Sequence, residues 1–136
     1  MKLNFISPTS LDKNLKATVH KSGKMGFTIE AANKMKLSPD KSLSIATNGD
    51  DETDKNLYIV VNDNRDSNSF SVLKAGDYYY VTTKELFKKL DIDYENNSVS
   101  FEISFKVIDS MEVFVFKTGI KERKSMNEKK KRQSTD

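Results

Sequence analysis

Apolar and polar residues alternate strictly over Ser98–Val107, which predicts a strand with one buried and one solvated face. The apolar face of that strand would consist of Val99, Phe101, Ile103, Phe105 and Val107. Three shorter runs rich in β-branched and aromatic residues also predict strands: Leu57–Val61, Phe70–Val72 and Met111–Phe116. The chain therefore contains more strand than helix.

A first short helix is predicted over Ile29–Leu37, where apolar positions recur at helical spacing. Thr28 precedes it and is the expected N-cap, because a threonine hydroxyl accepts a hydrogen bond from a free N–H of the first turn. Pro39 is expected to end it, because the residue before a proline avoids the helical conformation.

A second short helix is predicted over Lys84–Ile92. Thr82 and Glu85 stand three residues apart and match a capping box, in which the two side chains bond to each other's backbone N–H groups. Leu86 and Leu90 are one helical turn apart, so we expect both to face the sheet.

An internal repeat organises these elements. Thr18–Gly23 and Ser71–Gly76 match in pattern, and each leads into an apolar run, a threonine, a helix and an alternating strand. We expect a lead-in at residues 1–14 with a strand at Leu3–Ile6, a first unit at 15–62, a second unit at 69–117 and a basic, disordered tail at 118–136. The folded part would end near Lys117–Ile120.

The stretch Gly23–Ile45 resembles the AbrB/SpoVT family of swapped-hairpin DNA-binding domains. It shares the family's order of glycine, basic residue, apolar strand, short helix, proline-containing turn and further strand. The second unit resembles the same pattern at Lys84–Ile92, and two tandem units look like the arrangement of the MraZ branch. The resemblance implies a β-rich α+β fold in which two strand-hairpin-helix-strand units interleave their hairpins into one small barrel, a pseudo-dimer.

The resemblance also implies a DNA-binding regulatory protein of transcription. Lys24 stands at the family's basic position after the glycine, and Lys21 flanks the same turn. The aligned part of the second unit, Asp77–Tyr80, has no basic residue, so the resemblance assigns it no DNA contact.

Charge places any phosphate contact in the first unit. Residues 12–49 carry a net charge of +4, whereas residues 69–117 carry −2. Lysines that neutralise phosphates release the counterions bound to them, so clustered lysines favour binding to nucleic acid. A solvated surface of a lysine-rich protein would show the same charge and explains it equally well. The candidate contacts are Lys16, His20, Lys21 and Lys24, followed by Lys36 and Lys41. Arg65 is the only arginine before the tail, so general affinity is expected to exceed base-specific recognition.

Two other functions remain open. Tyr78, Tyr79 and Tyr80 either stack unpaired bases, as in a single-strand binder of the Whirly type, or form a strand with alternate rings in the core. Alternatively, the basic unit of one chain meets the acidic unit of another in a homo-oligomeric, non-catalytic assembly module.

Composition excludes several kinds of chemistry. The chain has 136 residues, no cysteine and one histidine, so disulfides, thiolate nucleophiles and multi-histidine metal sites are absent. No nucleophile-elbow or phosphate-loop motif occurs, and the acidic stretch Asn48–Asn56 lacks EF-hand spacing. We therefore expect a protein that is not an enzyme and needs no cofactor or metal. No apolar window reaches the length of a membrane span, which indicates a cytoplasmic protein.

Overall fold

The computed structural model describes residues 1–6 and 15–122. Residues 15–122 contain nine β-strands and two α-helices. In chain order these are β1 (Lys16–Val19), β2 (Lys24–Phe27), α1 (Ile29–Met35), β3 (Ser42–Ala46), β4 (Leu57–Asn62), β5 (Phe70–Ser71), β6 (Leu73–Ala75), β7 (Tyr78–Thr82), α2 (Lys84–Lys89), β8 (Asn97–Ile108) and β9 (Met111–Glu122). Residues 1–6 form no strand, so the strand predicted at Leu3–Ile6 is wrong.

All nine strands join in one antiparallel sheet with the order β5-β3-β4-β9-β8-β1-β2-β7-β6. The two outermost strands, β5 and β6, are separated along the chain by one residue, Val72. A sheet whose opposite edges are joined by one residue must curl until those edges meet, and the result is a nearly closed barrel. The expectation of a β-rich α+β fold built around a barrel is confirmed at this level.

Val72 fixes the closure through its backbone and its side chain. Its N–H donates to the carbonyl oxygen of Lys41 over 3.1 Å, and its own carbonyl accepts from a guanidinium N–H of Arg65 over 2.8 Å. The side chain is fully buried in the core. Both polar groups of the linking residue are thus satisfied, as a buried crossing between sheet edges requires.

The longest hairpin joins β8 to β9 over twelve paired positions, from Asn97 opposite Glu122 to Ile108 opposite Met111. The predicted strand is confirmed, but β9 continues to Glu122, past the expected end of the folded part at Lys117–Ile120. The basic tail after Glu122 lies outside the described residues.

Which apolar side chains of β8 are buried depends on the strands that pack against it, and not only on the alternation of its sequence. Val99, Phe101 and Ile103 are buried as predicted, whereas Phe105 and Val107 are 45% and 62% exposed. The pairing of β8 with β1 covers only Val99 to Glu102. Ile103, the next residue, still bonds to the carbonyl oxygen of Leu15 and is buried, but Phe105 and Val107 lie further from the pairing, so the prediction that these two are buried is wrong.

Three aromatic rings meet at the centre of the core. Phe101 lies between Phe87 and Phe116, with ring centroids 6.0 and 5.9 Å apart. Phe87 is the buried residue of α2, whereas Leu86 and Leu90, predicted to face the sheet, are half-buried at the margin of the core. Neither α1 nor α2, the helices of the described residues, is long and apolar enough to cross a membrane.

Helix α1 begins as predicted but ends earlier. The hydroxyl of Thr28 accepts the N–H of Ala31 over 3.2 Å, so the N-cap is confirmed. The helix stops at Met35 because Lys36 adopts a left-handed conformation with φ 54°, three residues before Pro39. Two backbone bonds from this C-cap close the last turn, so the proline is not what ends the helix.

The capping box predicted for α2 is wrong. Thr82 belongs to β7, and the N-cap is Thr83, whose side chain makes no capping bond. The buried hydroxyl of Thr83 instead donates to the carbonyl oxygen of Gly23 over 2.8 Å, and its N–H donates to the same oxygen over 3.2 Å. The start of α2 is thereby attached to the turn between β1 and β2, which holds that hairpin in place.

Candidate nucleic-acid interface

Strands β1, β2 and β7 lie side by side and place most of the candidate residues on one outer face. Along β1 the exposed Lys16 and Thr18 alternate with the buried Ala17 and Val19, and the alternation continues to the exposed His20, the residue after the strand. Gly26 is opposite Thr18 in β1 and opposite Tyr80 in β7. The same face therefore continues from β1 across β2 to β7.

His20 and Tyr78 are in direct contact although 58 residues separate them. The Nε2 atom of His20 lies 2.5 Å from the hydroxyl oxygen of Tyr78, and the two rings are tilted by 60°. Burial raises the pKa of the Tyr78 phenol above its ordinary value. The phenol is therefore protonated at neutral pH and available as a hydrogen-bond donor.

Gly26 makes this contact possible. A Cβ atom at this position would lie 1.3 Å from the hydroxyl oxygen of Tyr78, so the tyrosine side chain crosses β2 directly above the glycine. A glycine inside a strand often indicates that another group approaches closely, but the sequence does not say which group that is. Gly26 is a site residue that the sequence did not reveal.

Lys24 and Tyr80 extend the cluster along β2 and β7. The rings of Tyr78 and Tyr80 are stacked with an interplanar angle of 21° and centroids 6.3 Å apart. The Nζ atom of Lys24 lies 4.8 Å from the centroid of the Tyr80 ring, within cation–π distance. The geometry thus joins an ammonium group, an imidazole and two phenol rings on one surface, hereafter the His-Tyr face (His20, Lys24, Gly26, Tyr78 and Tyr80).

The other candidates are distributed differently. Lys21 is exposed in the turn next to the His-Tyr face. Tyr79 points to the opposite side of β7, where it packs against the core beneath the ammonium group of Lys74. Tyr78 and Tyr80 therefore lie on the His-Tyr face, and Tyr79 packs against the core, as predicted for alternate rings of a strand.

Lys36 and Lys41 form a separate pair. The ammonium group of Lys41, which is half-buried, donates to the carbonyl oxygen of Lys36 over 2.8 Å. This contact closes the connection between α1 and β3. The two lysines predicted as secondary phosphate contacts thus bond to each other, and the contacts of the described residues do not join them to the His-Tyr face.

Two carboxylates of the acidic connection between β3 and β4, those of Asp51 and Asp54, accept hydrogen bonds from residues in or next to it. Asp54 accepts hydrogen bonds from the Tyr58 hydroxyl, the N–H of Asn56 and the side-chain amide of Asn48. The bond from Tyr58, followed by those from Asn56 and Asn48, lowers the pKa of Asp54. Within residues 1–6 and 15–122, no group of three or more histidine, aspartate or glutamate side chains is placed to hold a metal ion. The connection is a polar loop that is held by hydrogen bonds among its own and adjoining residues.

Comparison with known proteins found no matching family model, no matching curated protein and no matching solved structure. The functional assignment therefore depends on the geometry of the His-Tyr face.

Proposed function

We propose that this chain is a non-catalytic, DNA-binding regulatory protein whose binding surface is the His-Tyr face together with Lys16 and Lys21. One observation supports this most directly: Lys24, His20 and the two stacked tyrosines are in contact with one another on an exposed surface. Lys24, which was predicted to contact phosphate, and Tyr78 and Tyr80, which were predicted to stack on bases, thereby become parts of one site.

Each group has a role that its chemistry supports. Lys21 and Lys24 neutralise phosphates and release their counterions, which gives affinity without sequence preference. The rings of Tyr78 and Tyr80 offer a surface on which bases stack, worth about 1–3 kcal/mol per base. The bond to His20 already holds the side chain of Tyr78 in one position, so less side-chain entropy is lost when nucleic acid binds.

The ring pair favours single-stranded over double-stranded nucleic acid. Bases inside a duplex are already stacked on their neighbours, so they reach a protein ring only when unpaired. The exposed hairpin turn at Lys21 supports duplex binding through backbone contacts alone.

We also propose that the barrel is a tandem swapped-hairpin pseudo-dimer. The order of strands supports this, because β1 and β2 of the first unit lie between β8 and β7 of the second. The strands of the two units correspond in sequence: β1 to β6, β2 to β7, β3 to β8 and β4 to β9. When each strand is replaced by its counterpart, every strand keeps the same neighbours around the barrel, with β5 placed between β3 and β6. This is the symmetry that two interleaved hairpin-helix-hairpin units have.

The alternative of an assembly module has its own support at the far end of the β8–β9 hairpin. Phe105, Val107 and Met111 are exposed there, and Phe105 packs edge-on against Phe114. Exposed apolar side chains in one place are typical of protein interfaces. The tail-less chain would then associate with itself in the absence of nucleic acid.

Fluorescence anisotropy with labelled single-stranded and double-stranded DNA of random sequence, at a series of salt concentrations, tests the DNA-binding proposal. The full chain is compared with a chain ending at Glu122, which keeps all nine strands and both helices but removes the basic tail. The Lys21→Ala/Lys24→Ala variant is expected to lower the log–log salt slope by about 1.4 for a single strand and about 1.8 for a duplex.

The control variant is Lys88→Ala/Lys89→Ala, which removes the same charge from exposed positions on α2. It should bind with the slope of the unchanged chain. If the tail-less chain binds neither form of DNA, or if both variants shift the slope equally, the His-Tyr face is not the binding surface. Sedimentation of the tail-less chain alone then reports on the assembly function.

A further inference from the structure

We propose that the binding surface continues from the His-Tyr face across β8 and β9 to Lys117 and Lys121, and that one nucleic-acid strand lies along it, perpendicular to the β-strands. This inference rests on the proposed nucleic-acid binding and adds the direction of the bound strand and its second set of phosphate contacts.

The register of the sheet defines a row of small residues across this surface. Gly26 is opposite Thr18, Thr18 is opposite Ser100, and Ser100 is opposite Gly119. The row begins at Tyr80, which is opposite Gly26. The Tyr78 side chain lies over Gly26, so the shallow trough that these small side chains leave on the outer face begins beside the tyrosine rings, at Thr18, and runs to Gly119 of β9.

Basic side chains flank the trough on both sides. On one side, His20, the residue after β1, bonds through its N–H to the carbonyl oxygen of Lys24 in β2. The same side of the trough ends at Lys121, which is opposite Ser98. On the other side, Lys16 is opposite Glu102, and Glu102 is opposite Lys117. The two flanks thus contribute four exposed lysines and one exposed carboxylate, a net charge of +3.

The dimensions of the trough suit one strand. Its two flanks are four residues apart along β1, which corresponds to about 13 Å at ~3.3 Å per residue. Its open length from β1 to β9 is two interstrand steps, about 10 Å at ~4.8 Å per step, and the rings of Tyr78 and Tyr80 continue the surface over β2 to β7. We therefore expect a short site, near the lower end of the roughly 4–16 nucleotides that a small β-barrel binds.

Glu102 sets a preferred side of the trough. Its carboxylate repels phosphate and reduces the attraction that Lys16 and Lys117, its neighbours in the adjacent strands, exert. The flank formed by Lys24, His20 and Lys121 carries no acidic side chain, so the phosphates are expected to follow it. Removing the charge of Glu102 should consequently strengthen binding.

The test uses the full chain and fluorescein-labelled oligothymidylates of 4, 8 and 12 nucleotides, with a duplex of 12 base pairs for comparison. Lys117→Ala/Lys121→Ala is expected to lower the log–log salt slope for the 8-mer by about 1.4, and Glu102→Gln is expected to raise the affinity several-fold. Lys88→Ala/Lys89→Ala is again the control for charge. Thermal unfolding monitors the fold of every variant, and all substituted side chains are exposed.

The results separate this inference from the function on which it rests. If Lys21→Ala/Lys24→Ala lowers the slope but Lys117→Ala/Lys121→Ala does not, the path across β8 and β9 is wrong while nucleic-acid binding stands. If the duplex binds more tightly than the 12-mer, the single-strand assignment is overturned. If no probe binds, the inference and the proposed function both fail.

Discussion

At Gly23, in the turn between β1 and β2, an added methyl group should destabilise the fold in two ways, through the backbone conformation and through a clash with backbone and side-chain atoms of Lys84. The φ of Gly23, +89°, lies in the left-handed region, and a Cβ there would lie 2.6 Å from the Cβ and 2.9 Å from the Cα of Lys84. Gly23→Ala therefore costs about 1–2 kcal/mol for the conformation. Displacing the first residue of α2 adds about 1–3 kcal/mol. We expect a loss of about 2–5 kcal/mol in the free energy of unfolding.

The chain supplies two matched controls. Gly76 also has a positive φ, +61°, but a Cβ added there would meet no atom within 4 Å beyond its chain neighbours. Gly76→Ala should therefore cost only the conformational part, about 1–2 kcal/mol. Gly49 has neither a positive φ nor a close neighbour, so Gly49→Ala should raise stability by about 0.4–1 kcal/mol through the lower entropy of the unfolded chain.

Urea unfolding followed by circular dichroism measures all three variants on the same scale. The difference between Gly23→Ala and Gly76→Ala isolates the contact between the hairpin turn and α2, and we expect about 1–3 kcal/mol. If the two variants lose the same stability, the turn does not pack against Lys84 as described. A change in the urea dependence of either variant would show that the denatured or native state had changed in compactness.

Two further predictions concern the buried hydrogen bond of Thr83 and the hydrogen bonds of Asp54 in the connection between β3 and β4. Thr83→Val removes the hydroxyl that donates to the carbonyl of Gly23, so we expect the free energy of unfolding, measured by thermal unfolding, to fall by about 1 kcal/mol. Thr82→Val, at an exposed position, should change it by less than about 0.5 kcal/mol. Equal effects would contradict the role given to Thr83. The pKa of Asp54 is lowered in the folded chain, so its stabilising effect on the loop is present above the ordinary carboxyl pKa of about 3.9 and is lost as pH falls through the folded value. An NMR titration of the carboxyl group measures this, and Tyr58→Phe should bring the pKa of Asp54 back toward its ordinary value; an unchanged pKa would contradict the assigned cause.

Local patterns in the sequence predicted the elements well. The alternation over Ser98–Val107 identified β8, and Thr28 was the N-cap of α1 as expected. Such features depend on residues only a few positions apart, which any short stretch of chain contains. The same kind of reasoning failed at Thr82. Thr82 and Glu85 have the capping-box spacing, but α2 begins one residue later, at Thr83, whose hydroxyl and N–H both bond to the distant carbonyl of Gly23.

The amino-acid sequence by itself determined the strand-rich composition, the basic first unit and the candidates His20 and Lys24. Tertiary structure alone decided that Val72 closes the barrel, that Phe105 is exposed, and that Tyr78 reaches His20 across Gly26. The physical reason is the range of the forces involved. Alternation follows from the local geometry of a strand, and capping follows from hydrogen bonds between residues a few positions apart. Burial and cross-strand contact depend on which strands become adjacent when the whole sheet curls.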